Sequence, residues 1–391
     1  MALETPTPVA APAGSNAQGA PPGSRQGTAD EPRVFVASQW QLIWWKFRKH
    51  KLAMAAAVII ALVYLVALFV EPIAPFLPDT FYPPRTYAPP QTLHFIHEGR
   101  FVGPYVFGLK QEIEQEALRR VFKPDPQQRV PLGFFVHGAP YKMWGLIESD
   151  IHLFGPLDKE EKVYLLGADR VGRDVLTRII YGARISMSIG LVGVFMSFIL
   201  GLTLGGISGY FGGQVDNIIQ RLIEFIRSVP TIPLWMGLAA AIPVTWPSER
   251  IYFSITIILS FIGWTGLARV VRGRFLSLRE EDFVMAARLD GVSELRVIFR
   301  HMIPSFTSHI IASITLAIPG MILAETALSF LGLGLQPPVV SWGVLLQEAQ
   351  NIRAVATAPW LLIPALAVII TVLALNFLGD GLSDAADPYG R

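Results

Sequence analysis

Six apolar runs punctuate the chain, at residues 52–70, 184–208, 222–243, 252–271, 305–324 and 359–379, with charge or proline returning between them. Each is close to the roughly 20 residues an α-helix needs to cross a bilayer, so the pattern predicts six spanning helices. Small residues recur along the second run at Gly190, Gly193, Gly201, Gly205, Gly206 and Gly209, as expected where spanning helices pack by close backbone approach. Pro230 and Pro233, beside Arg227, suit a hinge in the third run, although proline also occurs in ordinary membrane helices.

Between the first two runs the hydropathy falls and Pro72, Pro75, Pro78, Pro83, Pro84, Pro89 and Pro90 exclude a continuous helix. Residues 71–182 therefore form an insert outside the membrane. Leu109–Phe122, with Ile113, Ala117 and Val121 at helical spacing, predicts one short amphipathic helix; loops and short strands make up the rest. Residues 1–32 are rich in Pro, Ala, Gly and Ser without an apolar core, which predicts a disordered tail and not a signal peptide. The expected organisation is this tail, an interfacial segment and first helix over 33–70, the insert, a core of five helices over 183–381 with a polar joint at 272–304, and a second tail at 382–391.

Composition agrees with a membrane class: 52% of residues are hydrophobic and 16% charged, against about 25% charged in soluble domains. The net charge of +2 leaves nucleic-acid binding unsupported, so charge matters by location. Trp40, Trp44 and Trp45 lead into Lys46, Arg48, Lys49 and Lys51 immediately before the first run, as at a cytoplasmic interface. With the N-terminus inside, the cytoplasmic joints hold Arg221, Arg227, Arg272, Arg274, Arg279, Arg288, Arg296 and Arg300, and the outward joints hold Arg250 and Arg353. That bias predicts both termini in the cytoplasm. Arg170, Arg173, Arg178 and Arg184 run against it, but they end a long loop, where the rule loses force.

Chemistry is narrowed by absences. The chain has no cysteine, which removes disulfides, thiolate metal sites and a thiol nucleophile. None of its lysines follows a glycine, so there is no P-loop, and ATP could act only through another polypeptide. His94 and His97 have a metal-compatible spacing but no accompanying carboxylates, which favours a surface pair. No Ser/His/Asp set claims a catalytic role. Glu325, at the end of an apolar run, is either a pathway residue or a structural pairing group. In Gly172-Arg-Asp174 the adjacent charges either tie the outer loop to the second helix or form a solvated pair.

The joint 272–304 is the most informative stretch. Phe283, Ala286, Ala287 and Asp290 share a helical spacing, Gly291 supplies a helix end, Ser293 can cap a second helix, and Leu295, Ile298, Phe299 and Met302 repeat the spacing. The prediction is helix, glycine turn, helix. Two alanines on one face would admit another surface closely, with Arg288, Arg296 and Arg300 around it. The plainer alternative is an amphipathic loop lying on lipid headgroups.

The order Ala286-Ala287, Gly291, Ile298, Pro304 resembles the cytoplasmic coupling loop of ABC importer permeases, with Met285 where many members have Glu. Three further stretches resemble the oligopeptide and dipeptide branch, its C-type subunits: Gly167–Ser186, with Ala168 where Thr is usual; Ala327–Gly334; and Leu378–Pro388, with Ser383 where Arg is common. The resemblance covers most of residues 165–391. It implies an all-α membrane protein with the six-helix type I ABC importer permease fold and an extracytoplasmic insert, and a non-enzyme without cofactor or metal. It also implies a homologous permease partner, two cytoplasmic ATPase domains and an extracytoplasmic solute-binding protein. Ala286, Ala287, Arg288, Gly291, Ile298, His301 and Pro304 would form the ATPase-coupling loop. Peptides are the expected cargo, though the branch also includes nickel, opine and sugar permeases. An ion-gradient transporter is the rival reading, but the apolar runs are nearly free of charge and show no internal repeat; a membrane-embedded enzyme acting through residues 71–182 is a second rival, without a convergent catalytic set there.

Overall fold

Apolar runs too long for a soluble core become long helices whose ends are set by local capping. A computed structural model describes residues 38–114, 119–243 and 245–386. Helix α1 (Gln39–Lys49) precedes α2 (Lys51–Leu68), and the His50 ring accepts from Ala53 N to cap α2. Helix α3 (Val175–Phe211) starts well before the apolar run predicts, because Asp174 caps it through Thr177 N (2.8 Å) and Thr177 Oγ1 (2.7 Å).

The third predicted span is broken at Pro230, one of the two prolines that suit a hinge there. Helix α4 (Gly213–Ser228) ends at Val229, and α5 (Thr231–Ala240) leaves at 84° after Pro230. Proline disfavours helix in the residue before it, so the apolar run does not become one straight helix. Then follow α6 (Ser248–Leu278), α7 (Asp282–Leu289), α8 (Thr307–Phe330), the short α9 (Trp342–Gln347) and α10 (Ile363–Ala386). Among the described residues, five helices are long and apolar enough to cross a membrane, or six if α4 and α5 count as one broken span. Residues 382–386, expected in a tail, belong to α10: Ala385 packs with Phe47 and Ala53, and Gly381 lies directly against Ala53. Part of the Leu378–Pro388 signature and the 1–32 tail lie outside the described residues.

The expectation of an all-α protein needs correction. Between α2 and α3 the chain forms a four-stranded antiparallel meander, β1 (His94–His97), β2 (Arg100–Glu114), β3 (Arg119–Met143) and β4 (Ile147–Pro156), in sequential order. The helix predicted at 109–122 is instead a hairpin, with Leu109 opposite Pro124 and Ile113 opposite Arg120; Ala117 lies outside the described residues. Pro104, Pro124, Pro126 and Pro131 flank this stretch and prevent a helix from extending beyond it, and cross-strand pairing overrides the weak helical spacing. His94 and His97 sit in β1, where His94 stacks near Tyr105 and Phe107.

The sheet is pinned to the end of the first span. Trp144 Nε1 donates to Leu68 O (2.8 Å), and the fully buried His152 lies 2.6 Å from Ala74 O and 3.0 Å from Ala139 O. From α3, Arg184 grips Glu71 with both Nη atoms at 2.6 Å and donates to Ala67 O and Leu68 O. Burial alone would push the Glu71 carboxyl up, but the guanidinium prevails and holds it below the usual carboxylate range.

Beyond Gly182, which meets Trp342, the glycines of α3 divide between two neighbours. A Cβ at Gly209 would sit 2.6 Å from Arg272 O, one at Gly201 3.0 Å from Leu267 Cβ, and one at Gly205 would strike Ala268 O, all on α6. Gly190 and Gly193 face Ile322 and Met321 of α8. Spaced by four, Gly201, Gly205 and Gly209 form the small-residue stripe that allows helices to close without a hydrophobic drive. Ser260 Oγ donates to Gly193 O (3.0 Å) and Ser197 Oγ to Ser260 O (3.1 Å), tying α3 to α6, each interhelical bond contributing on the order of 0.6 kcal/mol.

Candidate functional site

The joint between α6 and α8 is stabilised from its own backbone. Gly291 has φ +73°, and the amides of Gly291 and Val292 bond to Arg288 O (3.0 Å) and Ala287 O (3.1 Å), closing α7 with a Schellman turn. Ser293 stands at the next N-cap position without a side-chain bond; Glu294–Arg296 then runs into a π-helical turn, Val297–Met302, and Ile303–Ser305. The predicted helix, glycine turn, helix is present.

Its faces differ from the expectation. Val284 and Ala287 point inward and pack with Tyr210, Val271, Phe275, Val297, Met302, Phe306 and Ile310. Ala286 is exposed, so the two alanines are not one small-residue face; adjacent helical positions stand about 100° apart. The second predicted face also splits: Met302 is buried, whereas Leu295 and Phe299 are exposed, because the π-helical turn shifts the register between them. Arg288, Gly291 and Pro304 reach the surface, while Ile298 and His301 are half-buried. Arg288 lies 4.8 Å over the Tyr210 ring at the end of α3.

Large apolar side chains turn outward among the charged ones. Phe283, Met285, Leu295 and Phe299 are exposed, and Leu289 is 87% exposed. Leu289 was missed in the sequence because it sits on neither predicted face; the Val284–Ala287 spacing was the signal that could have oriented the helix. The root of the joint is tied down by Arg272, whose Nε and Nη2 hold Asp216 of α4 in a fork, with Ser208 of α3 donating to the same carboxylate.

A second polar cluster lies inside the bundle. Glu325 of α8 is fully buried and accepts from Ser329 Oγ (2.8 Å) and Ser341 Oγ (2.7 Å), with Ser186 Oγ at 3.4 Å. Ser186 in turn accepts from Trp342 N, and Ser329 from Leu335 N. Of the two readings left open for Glu325, its contacts fit the structural one: it knots α3, α8 and the irregular segment leading to α9. Helix α8 also carries on to Phe330, so only residues after it are irregular. Partners so distant in sequence leave no local signal.

At the head of α3, Arg173 and Asp174 do not pair with each other. Arg173 Nε donates to Asp169 Oδ2 (2.7 Å), and Asp174 serves as the cap. Among the described residues no group of three or more His, Cys, Asp or Glu is placed to hold a metal.

Comparison with known proteins adds the family. Residues 201–389 match the family described as binding-protein-dependent transport system inner membrane component, and residues 38–90 match the N-terminal TM domain of oligopeptide transport permease C. The oligopeptide transport system permease protein OppC of Haemophilus influenzae is 38% identical over 71% of this chain and 89% of its own length. The dipeptide transport system permease protein DppC of Bacillus subtilis is 38% identical over 58% and 68%, and OppC of Escherichia coli 36% over 67% and 85%. Among solved structures, a chain of the inward-facing MetNI methionine ABC transporter aligns over 54% of this chain and 96% of its own, at 17% identity and a TM-score of 0.42. Permeases of this kind work in the membrane with ATPase and substrate-binding partners. With helices long enough for several crossings and a 38% identical relative spanned over 89% of its length, the chain belongs to the oligopeptide and dipeptide branch of the ABC importer permeases and is a multi-pass inner-membrane protein.

Proposed function

We propose that this permease carries peptides inward and is driven through residues 281–304, which dock into a separately encoded ATPase. The observation that carries the reading is the two-sided character of this joint: Leu289, Leu295, Phe299, Phe283 and Met285 face out, while Val284, Ala287, Val297 and Met302 are buried against α3, α6 and α8. An exposed apolar patch of this kind marks an interaction surface, and the buried inner face would pass a pull on it to the long helices. Ala286, Arg288, Gly291 and Pro304 lie within the docked surface, Ala287 supports it from behind, and Ile298 and His301 sit at its edge.

In this reading both termini and the joint are cytoplasmic, as the arginine bias supports, and the sheet of residues 94–156 is extracytoplasmic, where a solute-binding protein would meet it. A homologous permease supplies the other half of the path, and two ATPase domains complete the machine. Closing of the ATPases would move the joint, tilt α6 and α8 and open the path outward; opening after hydrolysis would reverse it. Peptide cargo rests on the similarity to the oligopeptide and dipeptide permeases.

The test is a pair of exposed substitutions, Leu289→Asp and Phe299→Asp, in the assembled transporter. Expected are normal insertion, loss of ATPase co-purification and at least a tenfold drop in ATP-driven peptide uptake. Full ATPase retention with normal uptake in both variants would mean that the patch only rests on lipid.

A further inference from the structure

Where the head of α3 meets the segments before β1 and after α8, the chain forms an open cavity of about 490 Å³. Three guanidinium groups line it, from Arg170, Arg173 and Arg178, against one lining carboxylate, Glu348. Tyr87, Asn351 and three glutamines, Gln336, Gln347 and Gln350, add neutral polar groups to its wall.

The arginines are not equally committed. Arg173 is spent on Asp169, which also accepts from the backbone amides of Val171 and Arg173. Arg178 is only 2% exposed and lies 3.5 Å from Asp169 Oδ2, yet its Nε and Nη1 make no hydrogen bond. Arg170 is exposed at the rim, and its amide donates to Glu348 Oε1 (2.8 Å). Burial, and then the nearby Asp169, push the Glu348 carboxyl up, so the one lining acid is poorly suited to neutralise the arginines. A buried guanidinium with unused N–H groups is costly unless a partner arrives, and its planar fork matches a carboxylate.

We propose that this cavity is a binding site for the carboxylate of a small solute, with Arg178 as the inner donor and Arg170 as the outer one. Its size is that of small-molecule sites, which favours a solute over a side chain from a docked protein. Resting on the peptide reading above, the ligand is the free C-terminal carboxylate of a short peptide. The cavity lies at the same end of the bundle as the sheet, so it would meet cargo before the path between the helices does.

Trialanine and trialanine amide differ only in that charge, and both can be offered to the assembled transporter in lipid nanodiscs. Expected is at least tenfold tighter binding of the acid by the native chain. Arg178→Gln and Arg170→Gln should each bring the two peptides to within about threefold; because Arg170 is exposed, the second variant tests the site even if the first fails to fold. Equal binding of acid and amide by the native chain, or an undiminished preference in Arg170→Gln, overturns the site. So does a loss of binding-protein association in Arg170→Gln with the acid preference intact, which would assign the cavity to an acidic side chain of that partner. ATP-driven trialanine uptake in proteoliposomes reports separately on the peptide reading: no uptake with the acid preference present removes that reading and leaves the site, whereas uptake without the preference does the reverse.

Discussion

Asp174 shows how much one buried carboxylate sets at the head of α3. Its Oδ2 takes both bonds from Thr177, while Oδ1 is buried without a partner, and burial pushes the group up to about 6. An unfolded aspartate titrates near ~3.9, so the folded chain holds this proton more tightly. The group's stabilising contribution is full below about 3.9 and is lost as pH rises through about 6. The detergent-solubilised protein should therefore melt at lower temperature at pH 7.5 than at pH 5 through this group. Asp174→Asn keeps an acceptor for the Thr177 amide and should flatten that slope; an identical pH dependence in both proteins would exclude Asp174 as its source. Asp174 was legible as part of a charged signature, but its role was not, since Gly172-Arg-Asp174 suggested a pair and folding made a cap.

Among the elements, α3 and α6 depend on their glycine stripe. Adding a methyl group at Gly209, where a Cβ meets Arg272 O at 2.6 Å, should cost about 1–3 kcal/mol by overpacking. Gly273→Ala on α6 is the control, because a Cβ there meets nothing within 4 Å and alanine favours helix. Thermal unfolding of the two variants separates the cases; equal midpoints would mean the stripe is not a tight contact. The helices themselves were legible because long apolar runs admit few alternatives. Their ends were not, since capping by Asp174 and docking of Ala385 on Phe47 and Ala53 are local or tertiary events that hydropathy ignores. The break at Pro230 was legible as a hinge, whereas the hairpin at 109–122 was not, because a weak helical spacing was weighed without the cross-strand pairing that overrides it. The joint 272–304 was legible as helix, turn, helix, but the facing of Ala286 and Ala287 depended on which side of α7 found a core.

At the scale of the molecule, the sheet is joined to the bundle through few polar contacts, chiefly Trp144 to Leu68 and His152 to Ala74. An attached module of this kind is expected to serve recognition more than the integrity of the bundle. Replacing residues 92–158 by a short Gly-Ser linker should leave insertion and ATPase association intact and weaken solute-binding-protein association at least tenfold, measured by surface plasmon resonance on nanodiscs. Unchanged association would move the docking surface elsewhere.

Helix α3 has a further mechanical property. Its 37 residues make a rod about 55 Å long at 1.5 Å per residue, against roughly 30 Å of bilayer hydrocarbon. Its close glycine contacts with α6 and α8 run from Gly190 to Gly209, about 28 Å of the rod on the side of the 272–304 joint, leaving about 22 Å toward Val175. The far end carries Arg178 and the cap of the helix. In the proposed reading, a stroke delivered at the joint would travel along this one rod to the end where cargo is first received.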